Sequence, residues 1–313
     1  MSIGVVIVTF ESQEVIGKCL DACLKFPDLD IIVVDNASKD GTVGEVRQYR
    51  NVRLIANEDN RGFAGAVNQG IAQCNSEFVL LLNPDTELLT SPTLLAEYCE
   101  GAAGGCLLAH DSDRPQDGFL VRAFPTPATL AFEVLGLNRL FAWNPVNRRY
   151  RVRLSHQSVV EVDQPAGAFL MVRKEAWAAV SGMDESFYPV WFEDVDFCLR
   201  LKAAGYSIRY VPYARARHLG GHSASKVSWE SRQTYWYGSL LRYAVKHFSP
   251  QGRFVVAAAV WAGVMARMVL ALVAHRNLSA VSVYSRVMGY AALSVFAGRG
   301  VSLGAPHEFT VNP

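Results

Sequence analysis

The chain has 313 residues, half of them hydrophobic, and a formal net charge of +1. That much apolar material can bury a large core in one or two domains and is too much for a disordered chain. The near-neutral balance excludes nucleic acid as the main partner, because that role needs a strongly basic face.

The N-terminus, MSIGVVIVTF, has no basic leader or cleavage pattern and reads as a first strand, so export is not expected. A helical pattern follows through Val15, Cys19, Leu20, Cys23 and Leu24, and then a second strand, DIIVVD, ends at Asp35. The turn NASKDG, a short helix and a third strand over residues 52–56 lead to the glycine-containing loop NEDNRGFAGAVNQG, which opens another helix. A fourth apolar run, EFVLLLNPD, ends at Asp85. Strands that are continuous apolar runs and alternate with helices predict an α/β fold with a parallel sheet covered on both faces. Ligands of such sheets bind at the carboxyl ends of the strands. Thr9 and Glu11, Asp35 and Asn36, Asn57 and Asn60, and Asn83 and Asp85 fall at those four ends and point to one crevice. The six cysteines form no CxxC pair and sit mostly in apolar runs, as reduced core residues of a cytosolic protein would.

The middle of the chain is broken by Pro115, Pro125, Pro127 and Pro145. Residues 134–160 hold no acid, but Arg139, Arg148, Arg149, Arg151 and Arg153 stand beside Phe141, Trp143 and Tyr150. A solvated loop explains that pattern, and so does a surface that meets phosphates or a membrane. Residues 197–229 are again free of acids and carry Arg209, Arg215, Arg217, His218, His222 and Lys226. A helix is expected over residues 232–248, with Tyr237, Leu240, Leu241, Ala244 and Phe248 on one face. Residues 254–273 are apolar except for Arg267, long enough to span a bilayer but with a costly charge inside, and their many Ala and Gly residues suit a helix packed on protein or lying in the interface at least as well, so membrane contact rather than a span is expected. The expected division is a catalytic domain over residues 1–228 and a helical, membrane-associating region over residues 229–313.

The stretch VWFEDVDFCLRLKAAGY places Glu193, Asp194 and Asp196 directly after aromatic residues. Acids in the first turn of an amphipathic helix through Val195, Leu199 and Leu201 suit the helix dipole, and acids in a crevice also suit catalysis. Asp85, in LLNPDTEL, fits a Mg²⁺ or Mn²⁺ ligand completed by phosphate oxygens, or a proline turn at a strand end. His218 fits a further ligand or a backbone-bonded buried histidine, and the GGHS that follows would let N–H groups approach a phosphate. Asp35 fits a nucleoside contact, an Asx turn, or both. No GxGxxG or GxxxxGK[ST] loop is present, and GFAG, with Gly65, is only a weak echo.

Taken in order, VVIVTFES, IIVVDNASKDGT, ANEDNRGFAGAVNQG, LLLNPDTEL, GAFLMVRKEAW, GMDESFYPVWFEDVDFCLRLKAAGY and RARHLGGHS resemble the inverting glycosyltransferases of family 2, above all the bacterial rhamnosyltransferase-like members. The resemblance implies a GT-A fold, a Rossmann-like and mostly parallel sheet flanked by helices, with a C-terminal helical extension. It implies that Thr9, Glu11, Asp35, Asn60, Gly65 and Asn83 hold a dTDP-, UDP- or GDP-sugar, and that Asp85 and His218 hold Mg²⁺ or Mn²⁺. Asn83 stands where many relatives have the first acid of DxD. Asp194 falls at the catalytic base, with Glu193 beside it, and Gly167, Ala168, Phe169 and Trp191 at the sugar and acceptor pocket. Tyr188, Trp191 and Phe192 would form an apolar floor there, their alternative being core packing. The reaction that the resemblance implies is transfer of a sugar, L-rhamnose from dTDP-rhamnose, to a polyprenyl-diphosphate-linked saccharide in cell-surface polysaccharide synthesis. The expected location is cytoplasmic, peripheral at the inner membrane face. The rivals are a nucleotidyltransferase, which wants a phosphate loop after the first strand, and a sugar-nucleotide-binding scaffold, which has no need of Asp85 and Asp194 together.

Overall fold

The computed structural model describes residues 1–221, 225–275 and 279–296. In chain order the elements are β1 (Ile3–Thr9), α1 (Gln13–Cys23), β2 (Leu29–Asp35), α2 (Thr42–Val46), β3 (Val52–Ala56), α3 (Gly62–Ala72), β4 (Phe78–Leu82), β5 (Thr86–Leu88), α4 (Thr93–Ala96), β6 (Ala102–Ala109), β7 (Val121–Arg122), α5 (Pro127–Val134), α6 (Leu137–Leu140), α7 (Pro145–Tyr150), β8 (Val160–Glu161), β9 (Gln164–Pro165), β10 (Phe169–Arg173), α8 (Lys174–Ala179), α9 (Glu193–Ala203), β11 (Ile208–His218), α10 (Trp229–His247), α11 (Pro250–His275) and α12 (Ser279–Phe296). His222 and Ser223, part of the GGHS stretch, lie outside the described residues.

The backbone forms two compact units. The first comprises Met1–Ala123, Arg151–Glu185 and Glu193–Lys226. It is built on a sheet in the order β3-β2-β1-β4-β10-β6-β11-β5, with β8 on β11. β3, β2, β1 and β4 run parallel, and the apolar runs of β2, β1 and β4 are buried because helices flank the sheet, whereas β3, at the edge, stays partly exposed. Beyond β4 the direction changes: β10 is antiparallel to both β4 and β6, β11 is parallel to β6, and β5 is antiparallel to β11. The fourth strand stops at Leu82 rather than reaching Asp85, because Pro84 has no N–H for the ladder and the chain turns there, Thr86 N donating to Asn83 O at 3.1 Å. All six cysteines are buried and unpaired, as the apolar spacing predicts.

The second unit comprises Phe124–Tyr150, Ser186–Phe192 and the described residues from Val227 on. A cut at residue 228 therefore takes in only part of it. The proline-broken middle of the chain folds into α5, α6 and α7, and α5 packs along α11, joining segments more than a hundred residues apart. α10 and α12 complete this helical unit.

Glycine sets the closest approach inside the sheet. A Cβ on Gly105 of β6 would collide with the Phe169 ring and lie 2.8 Å from the Ala214 carbonyl oxygen. We expect Gly105→Val to cost about 2–3 kcal/mol by overpacking. Gly44→Ala, in open space on α2, should gain about 0.5–1 kcal/mol of helix stability. Chemical denaturation of the two variants checks both signs, and equal midpoints would contradict this account of the sheet.

Candidate active site

The carboxyl ends of the parallel strands are tied together by side chains. Asp35, at the end of β2, accepts from Thr9 Oγ1 at 2.8 Å and from Ser38 Oγ at 2.6 Å on Oδ1, and from Ser38 N at 2.9 Å on Oδ2. Its Asx-turn role is thus present, and Oδ2 keeps room for a second donor. Glu11 sits at φ 49° and its Oε1 accepts the Lys39 N–H at 2.8 Å, closing one loop over another. Left-handed backbone at Glu11 and Ala37, neither a glycine, marks this rim as strained. Asn60 Oδ1 accepts from Gly62 N at 2.8 Å, and Asn36 holds the same turn through Gly62 O and Arg61 N. At Gly65 an added Cβ would find only ordinary contacts with Arg61 and Glu185, so packing does not demand glycine there. Asn83 is held through its backbone, donating to Ala168 O at 3.1 Å.

A second cluster forms where β5 pairs with β11. The register sets His218 opposite Thr86, and Leu219 N donates to Asp85 O at 3.1 Å. Gly220 N donates to Asp85 Oδ2 at 3.0 Å, while Asp85 Oδ1 lies 3.5 Å from His218 Nε2. Both side chains are buried. Gln116 Nε2 donates to His218 O at 2.8 Å, which fixes the amide and turns its Oε1 toward His218 Nδ1 at 3.0 Å. Nδ1 therefore carries hydrogen, and Nε2 faces the carboxylate without a hydrogen bond of its own. A proton or a divalent cation must lie between two such lone pairs, and one imidazole with one carboxylate suits Mg²⁺ or Mn²⁺ that also takes phosphate oxygens. Among the described residues no third His, Cys, Asp or Glu joins them. Burial works to raise the Asp85 pKa, but a proton on the facing nitrogen of His218, with the Gly220 N–H, outweighs it and holds the carboxyl below its usual range.

The third cluster is the start of α9. Asp194 Oδ1 accepts from Val195 N at 2.8 Å, and a Cβ on Gly167 would come within 3.3 Å of Asp194 Oδ2. Burial raises the Asp194 pKa against the pull of the Val195 N–H, the Arg122 charge and the Gly167 N–H. Glu193 is buried with Oε2 unpartnered, and burial followed by the neighbouring Asp194 charge pushes it well up. Asp196 is spoken for by Arg200 Nε at 2.8 Å. Ala168 and Phe169 are buried, the Phe169 ring packing over Gly105. Trp191 and Phe192 have φ of 79° and 71° and belong to the second unit, where Trp191 packs on Val227 and Tyr235, Phe192 on Tyr243, and Val190 O accepts from Ser239.

Sequence reasoning missed Gln116, Phe119 and Arg122. Gln116 clamps His218, Phe119 stacks on it at 5.3 Å, and Arg122 lies over the Phe119 ring while its charge acts on Asp194. One short segment thus serves both the Asp85–His218 pair and Asp194. Its only signal is a glutamine, an aromatic and an arginine within seven residues of an irregular stretch.

The family described as Glycosyl transferase family 2 matches residues 4–160, and Glycosyl transferase family group 2 matches residues 139–297. The chain belongs to glycosyl transferase family 2. This glycosyltransferase is 28% identical over 257 residues to N-acetylglucosaminyl-diphospho-decaprenol L-rhamnosyltransferase of Mycobacterium tuberculosis, covering 70% of this chain and 80% of that protein. It is 26% identical over 185 residues to the rhamnosyltransferase WbbL of Escherichia coli, covering 55% of this chain and 65% of that one. In fold it resembles S. aureus TarS 1-349 in complex with UDP-GlcNAc (TM-score 0.54, 15% identity, 94% of this chain and 82% of that one). It also resembles the mannosyltransferase PcManGT of Pyrobaculum calidifontis in complex with GDP-Man and Mn²⁺ (TM-score 0.51, 16% identity, 94% and 86%). The fold is GT-A, as the motif order implies.

Glu193 gives the glycosyltransferase a pH signature. A carboxyl whose folded pKa lies above its unfolded value contributes stability that is full below the unfolded pKa and is lost as pH rises through the folded one. Glu193→Gln keeps the shape of the neutral acid and removes that loss. Its thermal midpoint should match the native one near pH 4, about the free-glutamate value, and exceed it increasingly toward neutral pH. A variant no more stable than native at neutral pH would contradict the buried, raised carboxyl.

Proposed function

We propose that this glycosyltransferase inverts configuration at the sugar it transfers, with Asp194 as the catalytic base. The observation that carries the reading is Asp194 itself, raised in pKa by burial, with one oxygen held by its own helix and the other turned toward the glycine of GAF. A base with a pKa lifted toward the working pH takes a hydroxyl proton more effectively than a solvated aspartate. The acceptor hydroxyl gives its proton to Asp194 Oδ2 as its oxygen forms a bond to the anomeric carbon. The bond from that carbon to the diphosphate oxygen breaks on the opposite face. Asp85 Oδ1 and His218 Nε2 would hold a Mg²⁺ or Mn²⁺ supplying positive charge for the departing diphosphate. Gln116 and Phe119 keep the imidazole oriented for that role, and Gly220 N fixes the second Asp85 oxygen. Thr9, Glu11, Asp35 and Asn60 border the nucleotide end of the crevice.

For substrates, we propose L-rhamnose from dTDP-rhamnose and a polyprenyl-diphosphate-linked saccharide, in cell-surface polysaccharide synthesis at the cytoplasmic membrane face. Support comes from the relatives, one named for rhamnosyl transfer to a decaprenol-linked sugar. A further support is α11, the one helix among the described residues long and apolar enough to cross a membrane.

Nucleoside diphosphate release from dTDP-, UDP- and GDP-sugars, with Mg²⁺ or Mn²⁺ and a lipid-diphosphate-sugar acceptor, tests this. Acceptor-dependent release from one donor should fall roughly 10²–10⁴-fold in Asp194→Asn with donor affinity kept. Asp85→Asn should instead weaken donor binding in the presence of metal. Full turnover by Asp194→Asn would overturn the assignment of the base.

A further inference from the structure

The helix α11 has two apolar faces, and the described residues of the second unit cover only one of them. Its inward side, with Val256, Val260 and Val264, is buried, and α5, α10 and α12 pack against the helix. Its outward side exposes Phe254, Ala258, Trp261, Met265, Val269 and Val273, recurring every three or four residues, and no exposed position between 254 and 273 carries a polar side chain. The first two turns of α12 give a contrast within the same unit: their outward residues are Ser279, Ser282, Ser285 and Arg286, although Leu293 and Phe296 are exposed nearer its end. A wholly apolar outward stripe wants an apolar neighbour.

Charge identifies that neighbour. The chain as a whole carries +1, yet the described residues of this unit hold nine lysines and arginines against two glutamates, Glu133 and Glu230. The α6–α7 segment, which packs on α5, exposes Arg139, Arg148 and Arg149 together with Leu140, Phe141 and Trp143. Basic side chains interleaved with large exposed apolar ones match an anionic lipid surface. Arg267 decides how the helix lies. Its Nη1 donates to Val134 O at 2.6 Å and Gly263 O at 3.0 Å, so the arginine is fastened inward to the end of α5. At 1.5 Å per residue, Arg267 lies about 9 Å inside the end of the apolar stretch at Val273. A spanning α11 would therefore draw into hydrocarbon not only Arg267 but also Glu133 and Asn138, which are hydrogen-bonded to each other beside Val134.

We propose that α11 lies in the plane of an anionic bilayer surface, its outward face in the lipid and Arg267 toward the protein, and does not cross the membrane. This rests on the lipid-linked acceptor reading only for its purpose, because transfer to a short-chain, water-soluble acceptor is measured separately. The test uses the full chain with sealed vesicles of phosphatidylcholine alone or mixed with phosphatidylglycerol. The native protein should float with the mixed vesicles. Trp261→Glu/Val269→Glu should lose that binding about tenfold or more while keeping soluble transfer, and Ser285→Glu should bind as native does. Arg148→Gln/Arg149→Gln should lose the preference for anionic lipid roughly tenfold. In inverted membrane vesicles from expressing cells, Gln251→Cys and Ser282→Cys should both react with an impermeant thiol reagent against the buried native cysteines. Reaction at only one of them would mean a span and overturn the in-plane reading. Absence of vesicle binding, with a dimer that Trp261→Glu/Val269→Glu dissociates, would assign the stripe to a second copy and also overturn it. Loss of soluble transfer in the native protein would count against the proposed function and leave the vesicle result to stand alone.

Discussion

Three residue pairs between β5 and β11 hold together parts of the chain more than a hundred residues apart. That short antiparallel pairing puts His218 opposite Thr86 and so beside Asp85, and the N–H groups of Leu219 and Gly220 close on the same aspartate. Without it the two side chains would have no reason to meet in a buried place, where an unpaired carboxylate and an unpaired imidazole nitrogen are costly. The proline turn that ends β4 is part of the same device. It stops the fourth parallel strand, redirects the chain into β5, and leaves Asp85 at the bend.

The other acids follow a different rule. Glu193, Asp194 and Asp196 share one helix start, but only Asp196 has a cation, Arg200, hydrogen-bonded to it. Asp194 has one helix N–H and the field of Arg122, and Glu193 has an oxygen with no hydrogen-bond partner. The helix dipole lowers the cost of placing acids here, as it does in ordinary amphipathic helices. It does not remove the cost of burying two adjacent carboxyls, and the raised pKa values of the pair express what is left. The opposite shifts of Asp85 and Asp194 would suit the opposite tasks proposed for them, a carboxylate that stays charged and a base that takes a proton.

The parallel strands β1 to β4 were legible in the sequence because each is a short, mostly apolar run ended by polar residues, and the clustering of those residues at the carboxyl ends followed from where they fall. Beyond β4 the sequence is less informative, since β10, β6, β11 and β5 pair by long-range register that no local pattern encodes. Gln116, Phe119 and Arg122 escaped for the same reason: their meaning depends on His218 and Asp194, each more than seventy residues further on. The helices α5 to α7 hid behind prolines, although Pro127 and Pro145 stand where proline starts a helix well. Arg267 reads as a flaw in an apolar stretch until the Val134 carbonyl is seen beside it.

The measurement that tests the central claim most directly is the pH dependence of kcat/KM for transfer, which reports the ionisation of the free enzyme. With Asp194 as a base raised by burial, the native rate should fall on an acidic limb centred above the free-aspartate value of about 3.9, and the residual rate of Asp194→Asn should lack that limb. An acidic limb at the ordinary carboxylate value, or one that survives unchanged in Asp194→Asn, would contradict the account.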